Sequence, residues 1–165
     1  MAVRTILHYP DPRLREKARP VAEVTKEIKQ LVEDMAETMY AAPGVGLAAT
    51  QIGEPHRIFV VDTAGEDEPS KLQVFINPEI ITREGDLTWE EGCLSFPGVM
   101  EEIDRAAKVR VRALDAEGKP FELEAEGLLA VACQHELDHL DGVLILDRTA
   151  PEQRREALRA LRDGG

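Results

Sequence analysis

The feature that leaves this chain least freedom is His135-Glu136-Leu137-Asp138-His139, set in a run that also carries Leu128, Leu129, Val131 and Ala132. Read as a helix from Gly127 to His139, the run is apolar around most of its circumference and predicts a buried helix. Gly142 follows where a left-handed turn would end it. Residues four apart on a helix differ by about 40° around the axis, so both imidazoles leave from one face, one turn apart. Unpaired imidazoles in a core cost free energy unless something satisfies them. Two readings stand at this point: a divalent metal bound by both rings, or a structural pair held by hydrogen bonds. Under the first, Glu136 is placed to take a proton from a water activated by the ion.

A catalytic metal needs a third protein ligand. No histidine follows His139, and Asp141 points roughly 200° away on an ideal helix. Upstream stands Cys93, in Glu91-Gly92-Cys93-Leu94-Ser95-Phe96-Pro97-Gly98, a glycine-broken setting in which the backbone approaches closely and a thiolate suits Zn²⁺ or Fe²⁺. Cys133 lies about 200° from His135 and about 120° from His139 around the axis, so it reads as a small core residue. A disulfide between the two cysteines is the alternative use. Glu91 is a candidate acceptor for the histidine nitrogen turned away from a metal.

With 165 residues and 43% hydrophobic content, the chain is sized for one compact core, and residues 1–165 are expected to form a single domain. A net charge of -12 argues against general nucleic-acid binding and against direct DNA binding, although a local patch touching RNA stays open. No apolar run approaches the roughly 18 residues of a membrane span, and no apolar leader follows the first residues. The expectation is a soluble, cytoplasmic protein with no membrane partner.

Three prolines in the first twenty residues predict an extended arm. Ile28, Leu31, Val32, Met35 and Met39 recur at steps of three and four, which predicts an amphipathic helix from Thr25, its N-cap, to about Tyr40, closed by Pro43-Gly44. Residues 57–62 and 72–77 read as buried strands. Residues 108–114 and 121–125 alternate strictly and read as a hairpin with one charged face. Thr149 to Glu152 has capping-box spacing and opens a short Arg-rich helix with Leu158 and Leu161 as its apolar seam. The fold class is therefore α+β, with mostly antiparallel sheets packed around a buried central helix that carries His-Glu-x-x-His.

Three segments, Gly44-Val45-Gly46-Leu47-Ala48-Ala49-Thr50-Gln51, Glu91 to Ser95 and Gln134 to His139, together resemble peptide deformylase in order and spacing. The resemblance runs from the N-terminal arm to the region of Asp147. It implies that Cys93, His135 and His139 bind one divalent ion, by family preference Fe²⁺, with Zn²⁺, Ni²⁺ or Co²⁺ also accepted. It implies Glu136 as general base and then acid, and the Gln51 amide with the Leu94 backbone N–H as donors to the developing oxyanion. Val45, Trp89, Leu128, Val131 and Ala132 take the places of the methionine pocket, and the Gly44 to Gly46 backbone would pair with an extended substrate. The implied partners are formyl-methionyl nascent peptides and, transiently, the ribosome, for which the Arg-rich tail is short. Met100 departs from the pattern, since some relatives carry arginine near it.

Rival readings follow from single motifs. Gly44, Gly46 and Ala49 satisfy a dinucleotide-binding spacing, but they follow a helix and lead into strands, the reverse of what that motif needs. A metalloprotease of internal bonds and a closed structural metal domain share the His-Glu-x-x-His element.

Overall fold

In the computed structural model, residues 3–64 and 67–164 are described, except for the side chains of residues 97, 98 and 160–164. The period-3.6 run becomes α1, Lys26–Ala41, with the Thr25 hydroxyl accepting from the Ile28 N–H at 3.3 Å. Its apolar stripe of Ile28, Leu31, Val32, Met35 and Met39 is buried. Five strands make one antiparallel sheet in the order β1 (Gly46–Ala48), β2 (Ile58–Val61), β3 (Gln73–Glu84), β6 (Lys108–Leu114), β7 (Pro120–Glu126). β4 (Leu87–Cys93) and β5 (Phe96–Arg105) pair as a separate antiparallel hairpin. Two further helices, α2 (Gly127–Leu140) and α3 (Pro151–Gly164), complete an α+β fold.

Strand β2 explains the layering. All four of its residues are buried, because the period of two sends Ile58 and Val60 to the α1 side and Phe59 and Val61 to the α2 side. On the second face Phe59 stacks on Phe75 with ring centroids 4.6 Å apart, and Val109, Val111, Ala130, Ala132 and Cys133 close the cluster. The β6–β7 pair keeps Arg110 and Arg112 exposed while Val109, Val111 and Ala113 go inside. A third cluster joins Phe96, Val99 and Ile103 of the hairpin to Leu14, Leu144, Ile145, Leu146 and Ala157.

Three local readings change. The N-terminal arm contains a 3-10 turn at Pro12–Arg15, capped by Asp11, whose carboxylate accepts from the Arg13 N–H at 2.9 Å. α3 begins at Pro151, so Ala150 rather than Thr149 precedes it, and the Thr149 hydroxyl donates to the Leu146 carbonyl at 3.1 Å. The Leu158 half of the predicted seam packs on the third cluster, while the Leu161 side chain lies outside the described residues. The β4–β5 hairpin itself was absent from the sequence reading, because its residues are mostly charged and its apolar positions do not alternate cleanly. Among the described residues no helix is long and apolar enough to cross a membrane.

Candidate active site

Helix α2 brings His135, Glu136 and His139 into the interior, all three buried. Gln134 braces it: its side chain accepts from the Ala106 N–H (3.0 Å) and donates to the Ala106 and Ala130 carbonyls (2.9 Å each). The Thr50 hydroxyl donates to the His139 carbonyl at 3.2 Å. Gly142, with φ +75°, turns the chain away after the helix. From the other side Cys93 ends β4, where the register shifts after Gly92. Its Sγ lies 3.2 Å from His139 Nε2, which lies 3.2 Å from His135 Nε2. The sulfur and the two imidazole nitrogens, a set that could hold a metal ion, all fall within 4.8 Å of one another. Cys133 is buried in the α2–sheet cluster, and burial pushes its thiol up to about 12, so it is inert there; both cysteines are free.

The remote nitrogen of His135 is held by the hairpin. Its Nδ1 is 2.8 Å from Glu91 Oε1, and Arg105 donates to both Glu91 oxygens, from Nε at 2.8 Å and Nη2 at 2.9 Å. Burial alone would raise the Glu91 pKa, but the bonds from Arg105 and His135 outweigh it and hold the carboxylate below its ordinary range. A proton on Nδ1 facing that carboxylate leaves the Nε2 lone pair aimed at Cys93 and His139. Burial lowers the pKa of His135, yet the charges of Glu136, Cys93 and Glu91 carry it well above its usual value, and a cation bound at Nε2 would take the place of the second proton. His139 goes the other way, pushed well below its usual value by burial and then by the neighbouring His135 and Arg105 charges.

Glu136 sits beside this cluster with its Oε2 4.0 Å from His135 Nε2 and its Oε1 buried without a hydrogen-bond partner. Burial raises its carboxyl to about 7. A Cβ at Gly46 would come within 2.5 Å of Glu136 Oε2, so β1 approaches the carboxylate closely and any side chain there would push Glu136 aside. Gln51 is oriented by its neighbours: its Oε1 accepts from the Ala48 N–H at 2.9 Å, which turns Nε2 toward Ser95 Oγ (3.1 Å) and Cys93 Sγ (3.6 Å). A backbone N–H only donates, so this contact decides which end of the amide faces the thiol.

Cys93, His135, Glu136, Glu91 and Gln51 open into one cleft of about 760 Å³. Its wall includes Val45, Gly46, Gln51, Trp89, Leu94, Leu128, Val131 and Ala132, every one of the candidates read from the sequence beyond the cluster itself. Ala132 also packs the core, so α2 does serve two faces. The cleft further includes Ile6, His8, Phe96 and Val99, which the sequence reading missed, and Met100, 55% exposed, which rests its sulfur over Gly92. Arg105 and Ser95 were missed as well; nothing local in the sequence marks a residue whose partner lies fourteen positions away across a hairpin.

The sequence matches the Polypeptide deformylase family over residues 3–155. The chain belongs to the peptide deformylase family. Peptide deformylases are hydrolases that remove the N-formyl group from nascent polypeptides, and the family is metal-dependent. A peptide deformylase of Alkalilimnicola ehrlichii is 55% identical over 161 residues, covering 98% of this chain and 90% of its own. One from Nitrosococcus oceani is 56% identical over 147 residues, covering 89% of this chain and 87% of its own. Among solved structures, the peptide deformylase of Legionella pneumophila superposes with a TM-score of 0.93 at 47% identity over 99% of this chain and 95% of its own. That of Ehrlichia chaffeensis in complex with actinonin gives 0.93 at 36% identity over 99% and 98%.

Proposed function

We propose that this chain, as one catalytic domain over residues 1–165, deformylates the N-terminal formyl-methionine of nascent polypeptides at a divalent ion held by Cys93, His135 and His139. The observation that carries the reading is the convergence of one thiol sulfur and two imidazole nitrogens within 4.8 Å in a buried cluster, beside a carboxyl whose Oε1 has no partner. A thiolate and two neutral imidazoles form a donor set that fits Fe²⁺ and Zn²⁺, and also accepts Ni²⁺ or Co²⁺. Fe²⁺ is the ion proposed for the working enzyme, on the family's preference.

Bound there, such an ion would supply Lewis acidity to the formyl carbonyl and the attacking water. The rest is the work of the chain. Glu136 takes a proton from the water and then returns it to the departing amine nitrogen, two roles suited by the burial that raises its carboxyl. Gln51 Nε2 and the Leu94 N–H donate to the carbonyl oxygen as it gains negative charge. The C–N bond of the formamide breaks, leaving formate and a free methionine amine. Val45, Trp89, Leu128, Val131 and Ala132 line an apolar wall for the methionine side chain. β1 is the edge strand of its sheet, so an extended substrate can pair with Gly44 to Gly46 as an added strand.

The substrate is met as it leaves the ribosome in the cytoplasm, with the exposed Arg155 and Arg159 of α3 giving a local basic contact on a chain of net charge -12. No role on DNA is proposed. The test is formate release from a formyl-Met-Ala-Ser peptide against its acetylated counterpart, on protein prepared without oxygen and assayed for metal. Preferential turnover of the formyl peptide, tracking metal content, is the expected result; equal turnover of both, or cleavage of internal bonds, would refute the proposal.

A further inference from the structure

We infer that Arg148 is a positioning residue for the metal-binding face of His135, acting through a line of alternating charges; this rests on reading Cys93, His135 and His139 as the metal ligands. The line starts at His135 Nδ1, 2.8 Å from Glu91 Oε1. Arg105 grips both Glu91 oxygens and sends Nη1 to Asp138 Oδ2 at 2.6 Å. Arg148 closes the line, with Nε on Asp138 Oδ2 at 2.6 Å and Nη2 on Oδ1 at 2.8 Å. Side-chain exposure climbs along it, 3% at Glu91 and Arg105, 15% at Asp138 and 44% at Arg148, so the line runs from the buried cluster to solvent.

An exposed ion pair contributes little by itself. The effect of Arg148 comes from sharing. Two carboxylates and two guanidinium groups balance, and Asp138 Oδ2 accepts from both cations. Without Arg148, Arg105 must balance by itself the two anions that a pair of guanidinium groups had shared. Asp138 then competes for the guanidinium that orients Glu91, and Glu91 in turn sets the tilt of the His135 ring and the aim of its Nε2. Arg148 is also presented from a braced segment. Arg15 forks onto Asp147 at 2.6 and 3.1 Å, Asp147 accepts from the Leu144 N–H at 2.9 Å, and Arg154 of α3 donates to the Leu146 carbonyl at 2.7 Å. The seating of α3 and of the N-terminal arm is thereby connected to the metal-binding histidine.

The experiment loads the full-length wild type and Arg148→Gln with Co²⁺, records the visible spectrum, and follows loss of the ion to a chelator. We expect Arg148→Gln to lose Co²⁺ about 3–10-fold faster than wild type, below the 10–100-fold typical of a group that touches a ligand directly. Its ligand-field band should shift, and Arg148→Lys should recover part of both changes. In a Glu91→Gln background the same substitution should have no further effect, since the line is already cut. Equal loss rates and spectra for wild type and Arg148→Gln, even with a lower Tm, would overturn the inference, as would an undiminished effect in the Glu91→Gln background. A wild type without a thiolate-to-cobalt charge-transfer band would instead refute the ligand assignment, whatever Arg148 does.

Discussion

Helix α2 and the β4–β5 hairpin each contribute half of one site, and they are built on opposite terms. α2 buries an unbroken run from Ala130 to Glu136 and is braced by Gln134 and Thr50, so its direction is set by apolar packing on its sheet side together with those hydrogen bonds. The hairpin is a separate two-stranded unit with many exposed charges, anchored by Phe96, Val99 and Ile103 beneath and by the Glu91–Arg105 pair beside the cluster. An isolated hairpin is marginal in water. A helix can set two imidazoles side by side by its own repeat; a hairpin needs a buried ion pair to hold one thiol beside them.

The largest expected effect tests the helix half. Glu136→Ala should keep the metal yet lose about 10²–10⁴-fold in kcat, the range for a general acid–base group, measured by formate release beside metal analysis. Next comes the hairpin's anchor. Arg105→Leu leaves Glu91 and Asp138 without their buried cation and should cost about 3–5 kcal/mol in urea unfolding of the metal-free protein. If the loss were small, the hairpin would be held by its apolar underside alone.

The cysteines give a paired comparison. Cys93→Ala should abolish stoichiometric metal binding, whereas Cys133→Ala should keep it and cost about 1 kcal/mol through a small cavity. Gly142→Ala probes how the helix ends: a Cβ there meets the Arg15 carbonyl and sits at φ +75°, so a loss of about 1–3 kcal/mol is expected by thermal or urea unfolding. The smallest effect is in pH. Glu91 has a folded pKa below its ordinary 4.5, so its contribution is complete above that value and is lost as pH falls through the depressed folded pKa. Unfolding of the metal-free Glu91→Gln protein should lack that acid component; an unchanged acid limb would assign it to other carboxylates.

Much of this molecule was legible because helical and strand periods convert spacing into direction. α1 matches its predicted span to within a residue or so, and the two hydrophobic runs at 57–62 and 72–77 appear as β2 and the start of β3. β3 continues to Glu84 because its far half pairs with β6 across register shifts, a tertiary event with no local apolar signal. The candidate site divides the same way. The one-face placement of His135 and His139 followed from four residues of helix, and the turn of Cys133 away from them, into the core, from two.

What the sequence determined alone is the set of local geometries: which side chains share a helix face, where chains turn, and which chemistry the residue types allow. The resemblance to a family extended that to Gln51, Leu94 and the cleft residues. Only the tertiary structure decided that Cys93 comes within 3.2 Å of His139, that Arg105 holds Glu91 against His135, and that Asp138 passes the charge line on to Arg148. Those contacts join residues up to forty-six positions apart. No local period encodes them, because their distances are set by how a sheet, a helix and a hairpin share one interior.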